Sequence, residues 1–253
     1  MELLQVTNIT KVYNLKRGMQ QFVALSDVNF SVSEGEFLAI MGASGSGKTT
    51  LLNILASLDK PTSGEVYLDG KPFSSIKDRE LSAFRRERLG FVFQEFNLLD
   101  TFTLKDNILL PLVLMRKPVS ELDSSLTPIA AMLGLTQLLN KFPYEVSGGE
   151  KQRAAVARAI ITNPRLLLAD EPTGALDSKS SKSLLDIFVR LNAGGKTILM
   201  VTHSAMAASR AKRVLFIKDG ALFSQIYRGD DDDKAFFDRI VSNLSVIGGV
   251  DIG

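Results

Sequence analysis

The stretch Gly42-Ala43-Ser44-Gly45-Ser46-Gly47-Lys48-Thr49-Thr50 constrains this chain more than any other. Its G-x-x-x-x-G-K-[ST] spacing is that of a phosphate-binding P-loop. The glycines turn successive backbone N–H groups into one concavity, Lys48 reaches β- and γ-phosphates, and the Thr49 hydroxyl can ligate Mg²⁺. Glu36-Phe37-Leu38-Ala39-Ile40-Met41 reads as a buried strand, and Thr50-Leu51-Leu52-Asn53-Ile54-Leu55 opens a helix whose positive end faces the anion. Strand, glycine loop and helix in that order predict an α/β core with Gly42, Ala43, Ser44, Gly45, Ser46, Gly47, Lys48, Thr49 and Thr50 around a nucleotide.

Composition narrows the setting. At 253 residues the chain predicts one large domain with an inserted subdomain, or two tightly joined ones. Thirty Lys+Arg against 28 Asp+Glu leave a formal net charge of +2, too small for the basic face that duplex nucleic acid needs, so no nucleic-acid partner is expected. With no cysteine, disulfides and thiolate metal sites are excluded, and the cytoplasm is the expected compartment. Met1 to Val6 reads as a strand and not as a signal peptide. The most apolar stretch, Ile108 to Met115, is broken by Pro111 and falls short of the roughly 20 residues that span a bilayer. Any membrane role is therefore expected to come through a partner.

Residues 2–7, 22–32 and 65–70 read as strands of a small antiparallel sheet. Tyr13, taken alone, is a packing residue. From about 78 to 158 the periods turn helical, over Arg79–Arg88, Leu104–Leu114, Glu121–Leu133 and Gly149–Ile161. The alternating charges of Arg79, Glu80, Arg85, Arg86, Glu87 and Arg88 read as a solvated helix face. Leu166–Ala169 and Thr197–Val201 are apolar runs around a helical segment, Lys179–Asn192, as parallel strands buried on both faces require. Val214–Ile217, the Asp219-Gly220 turn and Ala221–Tyr227 predict a hairpin. Asp230-Asp231-Asp232-Asp233-Lys234 reads as a solvated acidic turn before a partly helical tail.

Leu166-Leu167-Leu168-Ala169-Asp170-Glu171 is an apolar strand ending in two carboxylates, the Walker B arrangement. Asp170 can hold Mg²⁺ through water, and Glu171 can orient or deprotonate an attacking water. Val146-Ser147-Gly148-Gly149-Glu150-Lys151-Gln152-Arg153 resembles the signature motif of ATP-binding cassette (ABC) ATPases, and its Ser-Gly-Gly turn presents donors to a second anion contact. The resemblance implies that two chains pair head to tail, with Ser147, Gly148 and Gly149 of one closing over the nucleotide of the other. It further implies that Gln94, in Phe91-Val92-Phe93-Gln94-Glu95, is the Q-loop glutamine that senses Mg²⁺ and the water. Asp177, in Ala175-Leu176-Asp177, becomes the D-loop residue that crosses to the partner. Tyr13 becomes the aromatic that stacks on adenine, and His203, the one histidine, contacts the γ-phosphate. The implied catalytic set is Lys48, Gln94, Glu171 and His203; the metal set is Thr49, Gln94 and Asp170; the cofactors are ATP and Mg²⁺. Glu150 stands where many signatures carry Gln. A carboxylate beside a triphosphate repels it, so Glu150 is expected to face Lys151, Arg153 or solvent.

The fold so implied is α/β: a P-loop NTPase (ABC ATPase) core with a small antiparallel β subdomain and an inserted α-helical subdomain. The expected limits are a single ABC ATPase domain over 1–253, with the core and its β subdomain at 1–93 and 159–228. A helical signature subdomain occupies 94–158, and a C-terminal tail 229–253. One cassette without sustained heptads, zinc-binding cysteines or a basic linker disfavours the other class considered, a soluble ABC ATPase acting on DNA or ribosomes. Asn97-Leu98-Leu99-Asp100, Asn107 to Leu112 and Asp170 to Ser178 resemble the macrolide-exporter and lipoprotein-releasing group, which serves FtsX-type permeases. The Asn-Leu-Leu-Asp step, Asp177-Ser178-Lys179-Ser180 and the tail from Phe236-Phe237 to Gly248-Gly249-Val250 look most like its bacitracin-export branch. That branch implies resistance to bacitracin- or lantibiotic-type peptides and a peripheral place on the inner face of the cell membrane. Its implied partners are a second copy, an integral FtsX-type permease and, through the permease, a sensor histidine kinase. Macrolide export, lipoprotein release and cell division stay open as alternatives.

Overall fold

The computed structural model describes residues 1–13 and 21–248, divided between two units: Met1–Asp78 with Thr197–Gly253, and Arg79–Lys196. In the first unit, β1 (Glu2–Tyr13) pairs antiparallel with β2 (Phe22–Ser33). The strand runs well past residue 7, where sequence alternation ends. Asn8 takes a left-handed φ of 51° and its N–H donates to Asn29 Oδ1 at 2.7 Å, so a bulge interrupts the alternation before pairing resumes at Ile9. Next come β3 (Phe37–Met41), α1 (Lys48–Leu55), β4 (Ser63–Leu68) and β5 (Lys71–Pro72). The antiparallel sheet has the order β2-β1-β4-β5.

The second unit contains α2 (Leu81–Arg88), β6 (Leu89–Val92), α3 (Leu104–Leu114), α4 (Val119–Met132), α5 (Gly148–Ile160), β7 (Leu166–Asp170) and α6 (Ser178–Ala193). Strands β6 and β7 are parallel, Leu89 opposite Leu166 through Val92 opposite Ala169. Helix starts are set by side chains that satisfy orphan N–H groups. Thr103 and Asp106 form a capping box on α3, and Asp177 caps α6. Leu104, Ile108 and Leu112 of α3 are buried, as are Ala155, Val156 and Ala159 of α5, and the two helices pack together.

The chain returns to the first unit through β8 (Thr197–Val201), α7 (Ala205–Ala208), β9 (Arg213–Lys218), β10 (Ala221–Tyr227) and α8 (Asp233–Gly248). Here the strand order is β10-β9-β3-β8, with β3 parallel to both β8 and β9 and the β9–β10 hairpin antiparallel. Every residue of β3 and β8 is buried, which is why neither run alternates.

The acidic run is a solvated turn only in part: Asp230 sits exposed in a turn, but Asp231 and Asp233 are tied to arginines. Asp233 pairs with Arg210 at 2.9 Å and Arg228 at 2.8 Å, and Asp231 pairs with Arg239. Asp232 Oδ1 accepts the Ala235 N–H at 2.8 Å. Carboxylates at a helix N-terminus meet both its dipole and these guanidinium groups. Phe236, Ile240 and Ile247 form the buried face of α8, while the Gly249-Val250 end of the tail lies outside the described residues. Among the described residues, no helix is long and apolar enough to cross a membrane.

Candidate nucleotide site

In the first unit the P-loop joins the buried end of β3 to the N-terminus of α1. Ala43, Ser44 and Gly45 are exposed, while Ser46 and Lys48 are buried. Gly47 has φ 99°, and a Cβ there would stand 2.4 Å from the Ala24 carbonyl oxygen, so only glycine fits. The loop is braced from behind: Gly220 N–H donates to Ser46 O at 3.1 Å, and Ser26 N–H donates to Gly220 O at 2.9 Å. Lys48 Nζ folds back to donate to Gly42 O at 2.9 Å and Ala43 O at 2.7 Å. Thr49 is exposed, and Thr50 follows on α1. His203, after β8, lines one pocket of 420 Å³ with Gly42 to Ser46, Lys218 and Asp219, and Leu244 and Ile247 of α8 form another part of its wall. Exposed loop amides, a helix N-terminus and an accessible hydroxyl beside a lysine fit a nucleotide phosphate chain with its magnesium ion.

Tyr13 belongs to the same unit. Its hydroxyl donates to Asp59 Oδ2 at 2.8 Å, and Lys11 Nζ lies 4.8 Å from the ring centroid while also bonding Asp59 at 2.6 Å. Burial, then the Asp59 hydrogen bond, pushes the Tyr13 phenol above its ordinary value. Burial acts to raise Asp59, but the hydrogen bonds from Lys11 and Tyr13 outweigh it and hold this carboxyl below its usual range. The ring is thus fixed at its tip, with one face under the ammonium.

In the second unit Asp170 ends β7, and Glu171 follows with a left-handed φ of 45°, in a turn closed by Gly174 N–H to Glu171 O at 2.9 Å. A φ of this sign on a non-glycine residue is strained. The Gln94 side chain lies against Gly174, where an added Cβ would stand 3.0 Å from Gln94 Nε2. Ser147 caps α5. Gly148 borders Phe96 and Leu176, and a Cβ on Gly149 would stand 2.8 Å from Ser180 Oγ. Asp177 accepts the N–H groups of Lys179 and Ser180 at 2.9 and 3.0 Å and the Ser180 hydroxyl at 2.6 Å, and that hydroxyl is the first cause of its lowered pKa. Gln94, the Ser147–Gly149 turn and the segment from Gly174 to Ser180 are therefore brought together within one unit.

Glu150 remains half-exposed and within the attraction of Arg153, but its bonds go back to Ser147. Its Oε2 accepts the Ser147 N–H at 2.7 Å and the Ser147 hydroxyl at 2.8 Å. Orphan donors at a helix start attract a carboxylate three residues in, and this capping box outweighs an exposed ion pair.

Three polar residues to which the sequence motifs give no individual role organise this unit. Gln152 is fully buried, and its Nε2 donates to Phe93 O at 3.0 Å and Pro172 O at 2.8 Å. Arg158 donates to the carbonyls of Phe96 at 2.9 Å and Asn97 at 2.5 Å, and burial lowers its pKa. Buried Asn107 accepts the Leu99 N–H at 2.7 Å and donates back to Leu99 O at 3.0 Å. One signal was present: helical spacing places Gln152 on the face of α5 that carries Val156 and Ala159.

A glycine loop between a buried parallel strand and a helix defines a P-loop nucleotide-binding protein, and the second unit carries a strand that ends in paired carboxylates. The chain belongs to the ABC transporter family, whose sequence pattern matches residues 25–174. It is 53% identical to the uncharacterized ABC transporter ATP-binding protein YvcR of Bacillus subtilis, over 98% of this chain and 96% of that one. To the bacitracin export ATP-binding protein BceA of Halalkalibacterium halodurans it is 48% identical, over 99% and 98%. Among solved structures, the dimeric post-hydrolysis ATP-binding cassette MJ0796, bound to ADP and Pi, superposes with a TM-score of 0.81. That cassette, from Methanocaldococcus jannaschii, is 40% identical over 89% of this chain and 98% of its own. The chain is an ABC transporter ATPase.

Proposed function

We propose that this chain powers an FtsX-type permease that confers resistance to cell-wall-directed antimicrobial peptides of the bacitracin or lantibiotic type. The observation that carries this reading is the extent of one match. The bacitracin-export relative aligns over 99% of this chain, whereas MJ0796 is matched over 98% of itself but accounts for only 89% of this chain. The permease then places the chain on the inner face of the membrane and links it to a sensor histidine kinase.

In this reading Gly42 to Thr50 cradle the phosphates, Lys48 holds the β- and γ-oxygens, and Tyr13 stacks on adenine. Thr49, Asp170 and Gln94 would hold Mg²⁺, which would supply neutralisation of phosphate charge. Glu171 orients the attacking water and takes its proton, and His203 contacts the γ-phosphate. Ser147, Gly148, Gly149 and Asp177 serve the nucleotide of a second copy, arranged head to tail. Closure of the pair shifts the conformational equilibrium of the permease, and hydrolysis reopens it. A groove in the second unit, where Arg85, Arg86, Phe91, Leu110 and Leu114 meet, suits a permease segment that is amphipathic and acidic: Leu114 is 55% exposed, and Arg86 Nε has no hydrogen-bond partner among the described residues.

Deleting the gene tests the reading. Cells lose tolerance of bacitracin-like or lantibiotic peptides, and the Lys48→Ala form fails to restore it. Unchanged peptide tolerance with a defect in macrolide export, lipoprotein release or division would assign the chain to one of those neighbouring systems instead.

A further inference from the structure

We propose that Gln152 is a positioning residue that fixes Gln94 and Glu171 together and ties both to the signature turn. This rests on the roles proposed above for those two residues. A fully buried amide is costly unless it is bonded, and both Nε2 hydrogens of Gln152 are used, on Phe93 O at 3.0 Å and Pro172 O at 2.8 Å. The first carbonyl belongs to the peptide that joins Phe93 to Gln94. The second belongs to the residue after Glu171. Rotating the amide by half a turn would set its oxygen against two carbonyl oxygens, so its orientation is dictated.

The two carbonyls come from different segments, the chain leaving β6 and the turn leaving β7. Gln152 is the side chain that donates to both. Each segment is held in a demanding way. Glu171 keeps its left-handed φ of 45°, a conformation that persists only where surroundings over-determine it, and Gln94 lies against Gly174 in the same turn. Gln152 sits on α5 five residues after Ser147, so a displacement of the signature turn carried along this helix pulls on both carbonyls at once. Engagement of Ser147 to Gly149 by a second copy's nucleotide thereby reaches Gln94 and Glu171 through one amide.

Steady-state hydrolysis of MgATP by the full chain tests this. Gln152→Met keeps the length of the side chain and removes its donors. We expect kcat to fall about 10- to 100-fold, the scale on which misplacing a catalytic group by about 1 Å acts, with KM for MgATP within about twofold because the phosphate cradle is untouched. Gln152→Glu adds a second readout. Ionised, it sets a carboxylate against two carbonyls; protonated, it donates to one of them, so its kcat relative to the parent climbs as pH falls. An unchanged kcat in Gln152→Met overturns the proposal, as does a rise in KM that matches the loss in kcat. If Gln152→Met does not fold, a Gln152→Glu pH profile parallel to the parent's overturns it. Parent-level turnover in both Gln94→Ala and Glu171→Gln would instead defeat the underlying roles. Loss of turnover in those two alone, with Gln152→Met fully active, defeats only this inference.

Discussion

The Glu150 carboxylate holds the Ser147 N–H at 2.7 Å and the Ser147 hydroxyl at 2.8 Å. The serine assigned to a second copy's nucleotide therefore already has an acceptor, and that acceptor is negative. To donate to a phosphate the hydroxyl must leave Glu150, and the triphosphate must approach the carboxylate. Glu150→Gln keeps a capping box and removes the charge. MgATP then assembles dimers at lower nucleotide concentration than in the parent, read by light scattering across a titration. A higher requirement would contradict this.

The same contact sets a pH dependence. The Ser147 N–H, then its hydroxyl, holds Glu150 below the usual carboxylate range. The folded pKa lies under the unfolded one, so the contribution is fully present above the unfolded value of about 4.3 and is lost as pH falls through the folded value. At pH 7 the parent is more stable than Glu150→Gln by about 0.3–1 kcal/mol, with solvent screening keeping the figure toward the lower end. Urea unfolding at neutral pH and near pH 3 checks it, and a difference that does not shrink in acid contradicts the assignment.

Tyr13 is tethered by Asp59 at its hydroxyl and covered by Lys11 on one face, which leaves stacking as its means of holding a base. GTP is then accepted within about tenfold of ATP, about 1.4 kcal/mol. Tyr13→Ala weakens both by roughly 1–3 kcal/mol, the worth of a base–aromatic stack. Competition titrations measure this; strong rejection of GTP, or an unaffected Tyr13→Ala, runs against stacking alone.

Gly174 lies under Gln94, and an added Cβ would stand 3.0 to 3.3 Å from three atoms of that side chain. Gly174→Ala therefore displaces the amide from its seat. Turnover falls while KM for MgATP holds, since the phosphate loop is unchanged. Kinetics equal to the parent's would mean that Gln94 acts elsewhere.

What could be read from the sequence was whatever is contiguous. The P-loop, the Asp170-Glu171 pair and the Ser147–Gly149 turn each announce themselves in a short run. The limits of α3, Leu104–Leu114, follow from its own apolar run, and the structure adds the Thr103–Asp106 box at its start. Interrupted or distant features did not show. The bulge at Asn8 hid the second half of β1, and β6, with only four residues, is too short to display a period. Asp231 and Asp233 find their partners on Arg210, Arg228 and Arg239, and no spacing rule connects them. Gln152 reaches carbonyls 59 and 20 residues away, contacts that exist only once β6, β7 and α5 are assembled.

The central claim is that two copies close on ATP and that Glu171 drives the hydrolysis that separates them. Light scattering of Glu171→Gln with MgATP tests it most directly. The variant is expected to bind nucleotide, to turn over hardly at all, and to move from 27.6 kDa to twice that mass. A Glu171→Gln protein that hydrolyses ATP at the parent rate and stays monomeric would contradict the account.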